Sequence, residues 1–188
     1  MKLFIYMVLT AVVSCILSQT LKTIFNVIVR KEKLKIGSLV SDGSYPSSHT
    51  AFTSSITTIS WIYTVFNWRE KGTAENELWC SVILTVFLSI VIRDALGVRY
   101  TVQRLCDSVT KLAAHSGQED EIKKIIDVKS GHKPHEVLGG AVLGIIVAGI
   151  SSIIYYEVYK YLLYAVMAFI VYIVVSIIIV KKSIKKTA

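Results

Sequence analysis

Two short stretches carry the residues best suited to chemistry, Pro46-Ser47-Ser48-His49 and Gly131-His132-Lys133-Pro134-His135-Glu136. They hold the only two prolines of the chain, and each runs directly into an apolar segment. Proline fits the first turn of a helix, where its missing N–H costs nothing. Ser47 or Ser48 can cap such a turn, leaving backbone N–H groups to face an anion. His132 and Glu136 are four apart and share one face of a helical first turn. A carboxylate so placed holds one imidazole nitrogen protonated and leaves the other as nucleophile or base. His49 is then the opposing acid, while His135 faces elsewhere and His115 sits in a solvated polar segment. Each stretch alone reads equally well as a capped helix start; the pair on one membrane face favours an anion site.

Further charges fall within or beside apolar segments, where an unpaired charge is expensive. Lys22 either snorkels to the nearby surface or points into the anion site. Asp94 is expected to be a structural counter-ion for Lys22 or Arg99. Cys15, Cys80 and Cys106 are scattered singly, which argues against a disulfide framework or a structural zinc site. The sequence has no HExxH and no Gly-x-Ser-x-Gly. A metal site built from His49, His132, His135, Glu136 and Asp94 is the weaker alternative, and no metal or cofactor is expected.

The elements that must position these residues are apolar helices. The chain has 188 residues, 53% of them hydrophobic, and a mean hydropathy of +0.58. A soluble domain of this size cannot hide so many apolar side chains in long runs. Five apolar blocks, Leu3–Val29, Thr50–Trp68, Leu78–Val98, Val137–Tyr156 and Tyr161–Val180, read as spans of about 20 residues. The expected fold is therefore all-α, a single polytopic membrane bundle of about five transmembrane helices over residues 1–188. The second block is rich in Ser and Thr and gives the weakest apolar signal. Gly139, Gly140, Gly144 and Gly149 mark the fourth as a buried central helix. The fifth, nearly all Val, Ile and Leu, reads as an outer helix facing lipid, with a frayed basic tail at 181–188.

The net charge of +8 is gathered in the segments between spans, so anionic lipid is the expected partner and nucleic acid is not. Segments 30–49, 99–134 and 181–188 carry 15 Lys and Arg against 4 on the other face, which assigns them to the cytoplasm. The expected location is the cell membrane, with the site on its cytoplasmic side. Segment 99–134 is an amphipathic insert: Val102, Leu105, Val109 and Leu112 recur at helical spacing, and a second short helix is expected over 119–128. Both read as helices at the membrane interface, or equally as helices packed on their own bundle. A homo-oligomer is left open.

Three blocks of residues together resemble the divergent branch of the phosphatidic acid phosphatase and vanadium-dependent haloperoxidase superfamily. They are Gly43-Ser44-Tyr45-Pro46-Ser47-Ser48-His49-Thr50-Ala51, Asp94-Ala95-Leu96-Gly97-Val98-Arg99 and Gly131-His132-Lys133-Pro134-His135-Glu136-Val137. The resemblance implies a metal-independent two-step phosphoryl transfer through a phosphohistidine. His132 resembles the nucleophile, Glu136 stands where an Asp usually orients it, and His49 resembles the general acid. Ser47, Ser48, Lys22, Arg30 and Arg99 resemble the phosphate-binding set. No proline follows Arg30, and Arg99 lies 33 residues before His132, where the ordinary motif keeps the two close. The implied function is a membrane lipid-phosphate phosphatase acting on phosphatidate, prenyl phosphate or prenyl diphosphate. The alternative is a non-catalytic membrane protein that binds anionic head groups or serves as a scaffold.

Overall fold

The computed structural model describes residues 2–28, 45–116, 133–156 and 161–185. His132, Arg30 and the helix expected over 119–128 lie outside these residues. The described chain is all helix: α1 (Lys2–Ile28), α2 (Ser48–Lys71), α3 (Glu75–Arg93), a π-helical turn (Asp94–Val98), α4 (Arg99–Ser116), α5 (Pro134–Tyr155) and α6 (Leu162–Lys185).

Four helices are long and apolar enough to cross a membrane among the described residues: Leu3–Val27, Glu75–His115, Pro134–Tyr155 and Tyr164–Lys182. The chain is an integral membrane protein. Of the five apolar spans expected, the block at 50–68 does not meet that standard. Its helix, α2, has 24 residues, roughly 36 Å at 1.5 Å per residue. Most of its hydroxyls are covered by protein: Thr50, Thr53, Ser54, Ser55, Thr57, Ser60 and Thr64 are all buried. A helix surrounded by its neighbours needs small side chains and satisfied polar groups more than it needs an apolar surface.

α1, α2, the continuous run that begins with α3, α5 and α6 alternate in direction. Near the end where α1 begins, Thr10 Oγ1 donates to Ser151 Oγ at 3.0 Å and Tyr6 donates to the Ser151 carbonyl. At the opposite end, Ser14 and Ser18 donate to the Ala51 and Pro46 carbonyls at 3.0 and 3.2 Å. α2 packs against α1, α3 and α5 and is the centre of the bundle. It ends at Gly72, whose φ of 72° lets its N–H return to the Trp68 carbonyl. Asn67 Nδ2 then meets Glu77 Oε1 across the turn at 2.8 Å.

The α2–α5 contact depends on glycine. A Cβ on Gly140 would overlap the Ser47 carbonyl oxygen, and one on Gly144 would stand 2.5 Å from the Ala51 carbonyl oxygen. Gly149 meets nothing within 4 Å and has no part in this approach. α6 lies outermost, with Tyr164, Ile170, Val171, Val174 and Ile178 exposed. It continues through Lys185, so the tail expected to fray from residue 181 is helical for another turn.

The insert at 99–134 also differs from expectation. Its first part, α4, continues α3 through the π turn, giving one helical run over Glu75–His115.

Candidate functional site

One end of the bundle collects the start of α2, the end of α3 with the π turn, the start of α5 and the second half of α1. Pro46 precedes the helix, and Ser47 occupies the cap position with an extended backbone (φ −68°, ψ 119°). This corrects the expectation of proline within the first turn, which Pro134 does meet in α5. The expected serine cap is also absent, since Ser47 makes no side-chain cap bond. Its hydroxyl oxygen instead accepts from Thr50 Oγ1 at 3.1 Å. The Ser47 N–H donates to the Glu136 carbonyl at 2.9 Å. The two proline-bearing helix starts are thus tied together by backbone.

A cavity of about 510 Å³ opens beside this tie. Ser47, Ser48, His49, Asp94 and Arg99 form its polar side. Phe52, Phe87, Ile90 and Val91, with Cys15, form an apolar side reaching along α2 and α3. His49 is exposed, and the helix start contributes first-turn N–H groups that have no intrahelical acceptor.

Arg99 reaches the cavity through the π turn. Residues five apart stand about 140° apart around a regular α-helix. In the wider turn the Arg99 N–H bonds to the Asp94 carbonyl, closing an i to i+5 ring. The side chains come together as well, with Arg99 Nε donating to Asp94 Oδ2 at 2.6 Å. Both are about two-fifths exposed, so the pair contributes little stability and mainly fixes where the guanidinium points. No periodicity in the sequence marks a π turn; the Asp94–Arg99 block itself was the available signal.

Glu136 is buried at 4% exposure, and its Oε2 accepts the Lys133 N–H at 2.9 Å, closing the first turn of α5. One oxygen is thus engaged in capping, and a carboxylate retains further acceptor sites for a histidine. His132, its expected partner, is outside the described residues, as is Arg30. Lys22 is fully buried, which excludes snorkelling. It lies one turn beyond Ser18, on the α1 face that meets the start of α2. Among the described residues it does not line the cavity. His135 stands at 6.2 Å from Tyr45, ring on ring, on the α6 side of α5.

Gln19 was not anticipated. Its Nε2 donates to Ser48 Oγ at 3.2 Å, bringing α1 to the cavity wall. The spacing of Ser14, Ser18 and Lys22, one helical turn apart, was the legible sign of this polar face. No three His, Cys, Asp or Glu side chains gather as metal ligands among the described residues.

Residues 5–147 match the Divergent PAP2 family. The chain belongs to that family. The match takes in all three blocks, ends within α5 and leaves α6 outside. No curated protein and no solved structure matches the chain. Membership in the Divergent PAP2 family places it among relatives of lipid-phosphate hydrolases, and the cavity at the α2 start lies within the matched span.

Proposed function

We propose that this protein is a metal-independent lipid-phosphate phosphatase whose site is the polar end of the α2–α3 cavity. One observation carries the reading: His49, Ser47 and Ser48 share a cavity with Arg99, and the Ser47 backbone is bonded to Glu136. Residues from three separate sequence blocks are thereby drawn to one bundle end. Arg99, the Ser47 and Ser48 hydroxyls and the helix start supply donors for phosphate oxygens. Lys22 adds positive charge to the same end, and Arg30 is assigned to the phosphate-binding set on the family resemblance alone.

In this reading His132, oriented by Glu136, attacks phosphorus. The phosphorus–oxygen bond to the lipid breaks, its electron pair passes to the leaving oxygen, and His49 protonates that oxygen. Water then attacks the phosphohistidine and gives a proton to the now deprotonated His49, breaking the phosphorus–nitrogen bond and releasing phosphate. Donors fixed where charge develops in the transition state stabilise both steps. The apolar wall of Phe52, Phe87, Ile90 and Val91 suits a chain attached to the phosphate, as in phosphatidate or a prenyl phosphate or diphosphate.

α2 crosses the bilayer inside the bundle in this reading, making residues 1–188 one five-helix membrane domain. α1 and α6 end, and α2 and α5 begin, at the site end; in this reading the excess of Lys and Arg in segments 30–49, 99–134 and 181–188 assigns that end to the cytoplasmic face of the cell membrane.

The test is phosphate release from a panel of lipid phosphates by the purified protein beside His132→Ala and His49→Ala. Release by the native chain and loss in both variants is expected. Equal release by His132→Ala removes it as nucleophile. Retained lipid binding without release on the whole panel supports the non-catalytic head-group binder instead.

A further inference from the structure

The cavity that holds His49 and Arg99 is one end of a longer groove. A second cavity, of about 500 Å³, lies toward the opposite end of the bundle between the same three helices. Met7 and Val8 of α1, Ile56 and Tyr63 of α2, and Cys80 and Ile83 of α3 line it. α1 and α3 both pack on α2, and among the described elements they make no appreciable contact with each other. The gap between them has α2 as its floor. Ile83, Phe87 and Ile90 on its α3 wall are 64%, 52% and 58% exposed, so no described part of the chain fills it.

Helical phase places both cavities on one face of each helix. On α3, Cys80 and Leu84 line the far cavity, and Phe87, Val91 and Asp94 the near one. Their steps alternate between four and three residues, which keeps them on a single stripe. On α2, His49, Phe52, Ile56 and Tyr63 follow at steps of three, four and seven. On α1, Val8 and Cys15 stand seven apart, about two turns along the same side. The groove is thus polar at the site end, apolar along its middle, and bounded at the far end by Asn76 and Glu77.

Its length exceeds one leaflet. Trp68 and Trp79 are exposed at the far end, where tryptophan marks the level of a bilayer interface. From Asn76 to Asp94 the helix rises roughly 27 Å at 1.5 Å per residue, close to the thickness of a bilayer core, about 30 Å. The chains of an ordinary membrane lipid fill their own leaflet, roughly half of that core. A chain whose phosphate sits beside Asp94 and Arg99 then ends about level with Leu84, where the far cavity begins. Acyl chains set the thickness of the leaflet and do not outreach it. The length of a prenyl chain is independent of it.

We propose that the lipid phosphate bound at this site carries a prenyl chain long enough to cross the bilayer midplane. The chain lies along α2 between α1 and α3, with its end in the far cavity beside Val8, Ile56, Cys80 and Ile83. Those residues then select for chain length. The long chain rests on the anion site of the proposed function, and not on its turnover.

The test is photolabelling of the full chain in proteoliposomes by prenyl monophosphates that carry a diazirine at the chain end. One probe is shorter than a leaflet and one is long enough to cross the midplane. Peptide mapping is expected to place the long probe's label on Met7, Cys80 or Ile83, and the short probe's label on Phe52 or Phe87. Ile83→Trp should lower labelling by the long probe several-fold and leave the short probe unchanged. Val8→Trp on the opposite wall provides a second block if Ile83→Trp folds poorly. Val86→Trp, exposed on α3 and outside the groove, should change neither. Equal labelling of the far cavity by both probes overturns the proposal, as does equal labelling there by a phosphatidate with the same group at an acyl end. Long-probe labelling that survives both blocks also overturns it. Far-cavity labelling in a protein that releases no phosphate would strike the phosphatase reading alone, and phosphate release without far-cavity labelling would strike the long chain alone.

Discussion

Gly140 lets the backbone of α5 approach Ser47 closely, and alanine at position 140 tests whether the site depends on that contact. The new Cβ would penetrate the Ser47 carbonyl oxygen by about 1 Å relative to ordinary contact, with the Ser47 carbonyl carbon at 3.1 Å and Thr50 Cβ at 3.2 Å. None of these neighbours is the free end of a flexible side chain, so the start of α2 must move away from α5. Overpacking of this kind costs about 1–3 kcal/mol. The same movement displaces Ser47, Ser48 and His49 relative to Glu136, and a misplacement of about 1 Å lowers turnover about 100-fold. Gly144→Ala lies one turn further along, against Ala51 and Ser54; it should destabilise similarly while disturbing the site less. Gly149→Ala meets nothing within 4 Å and should be neutral or gain up to about 1 kcal/mol from helix propensity. Thermal unfolding in detergent and phosphate release measure the two effects. Wild-type stability and activity in Gly140→Ala would refute the argument that this contact positions the site.

Three other substitutions separate structural from chemical roles. Glu136→Gln retains an acceptor for the Lys133 N–H and should keep most of the stability, whereas Glu136→Ala should lose about 1–2 kcal/mol; activity lost in both variants identifies the charge, and activity kept in Gln would show that capping is the whole role. Asp94→Asn should change stability by less than about 1 kcal/mol because the pair is partly exposed, and thermal unfolding checks this; a larger loss would show that the ion pair holds the π turn. Arg99→Lys keeps the charge but loses the planar fork; it should weaken competition by inorganic phosphate in the release assay, and unchanged competition would remove Arg99 from the anion site.

Much of the architecture was legible because membrane helices write themselves into composition. The blocks at 3–29, 137–156 and 161–180 became helices with ends shifted by a few residues, and the block at 78–98 became part of a longer helical run, since long apolar runs have few other ways to satisfy their backbone in lipid. The glycines of α5 were readable as a close-packing face, though only Gly139, Gly140 and Gly144 contact α2 or the Tyr45 segment before it. α2 was harder to read. Its Ser and Thr weaken the apolar signal because its surroundings are other helices, and sequence alone does not state what will cover a side chain. The break expected near residue 98 was absent for a related reason: a π turn changes helical phase without changing composition.

The sequence by itself determined an all-helical membrane protein and which residues carry charge, imidazole and proline beside its apolar runs. Helical periodicity put Ser14, Ser18 and Lys22 on one face, and Glu136 on the first turn of α5. Tertiary structure alone decided which of these meet. Arg99 is far from His49 along the chain, yet shares its cavity because α3 runs antiparallel to α2 and the π turn rotates the guanidinium into place. Ser47 meets Glu136 because Gly140 and Gly144 let two backbones approach without intervening side chains. Those distances follow from packing between helices, and no local pattern encodes packing.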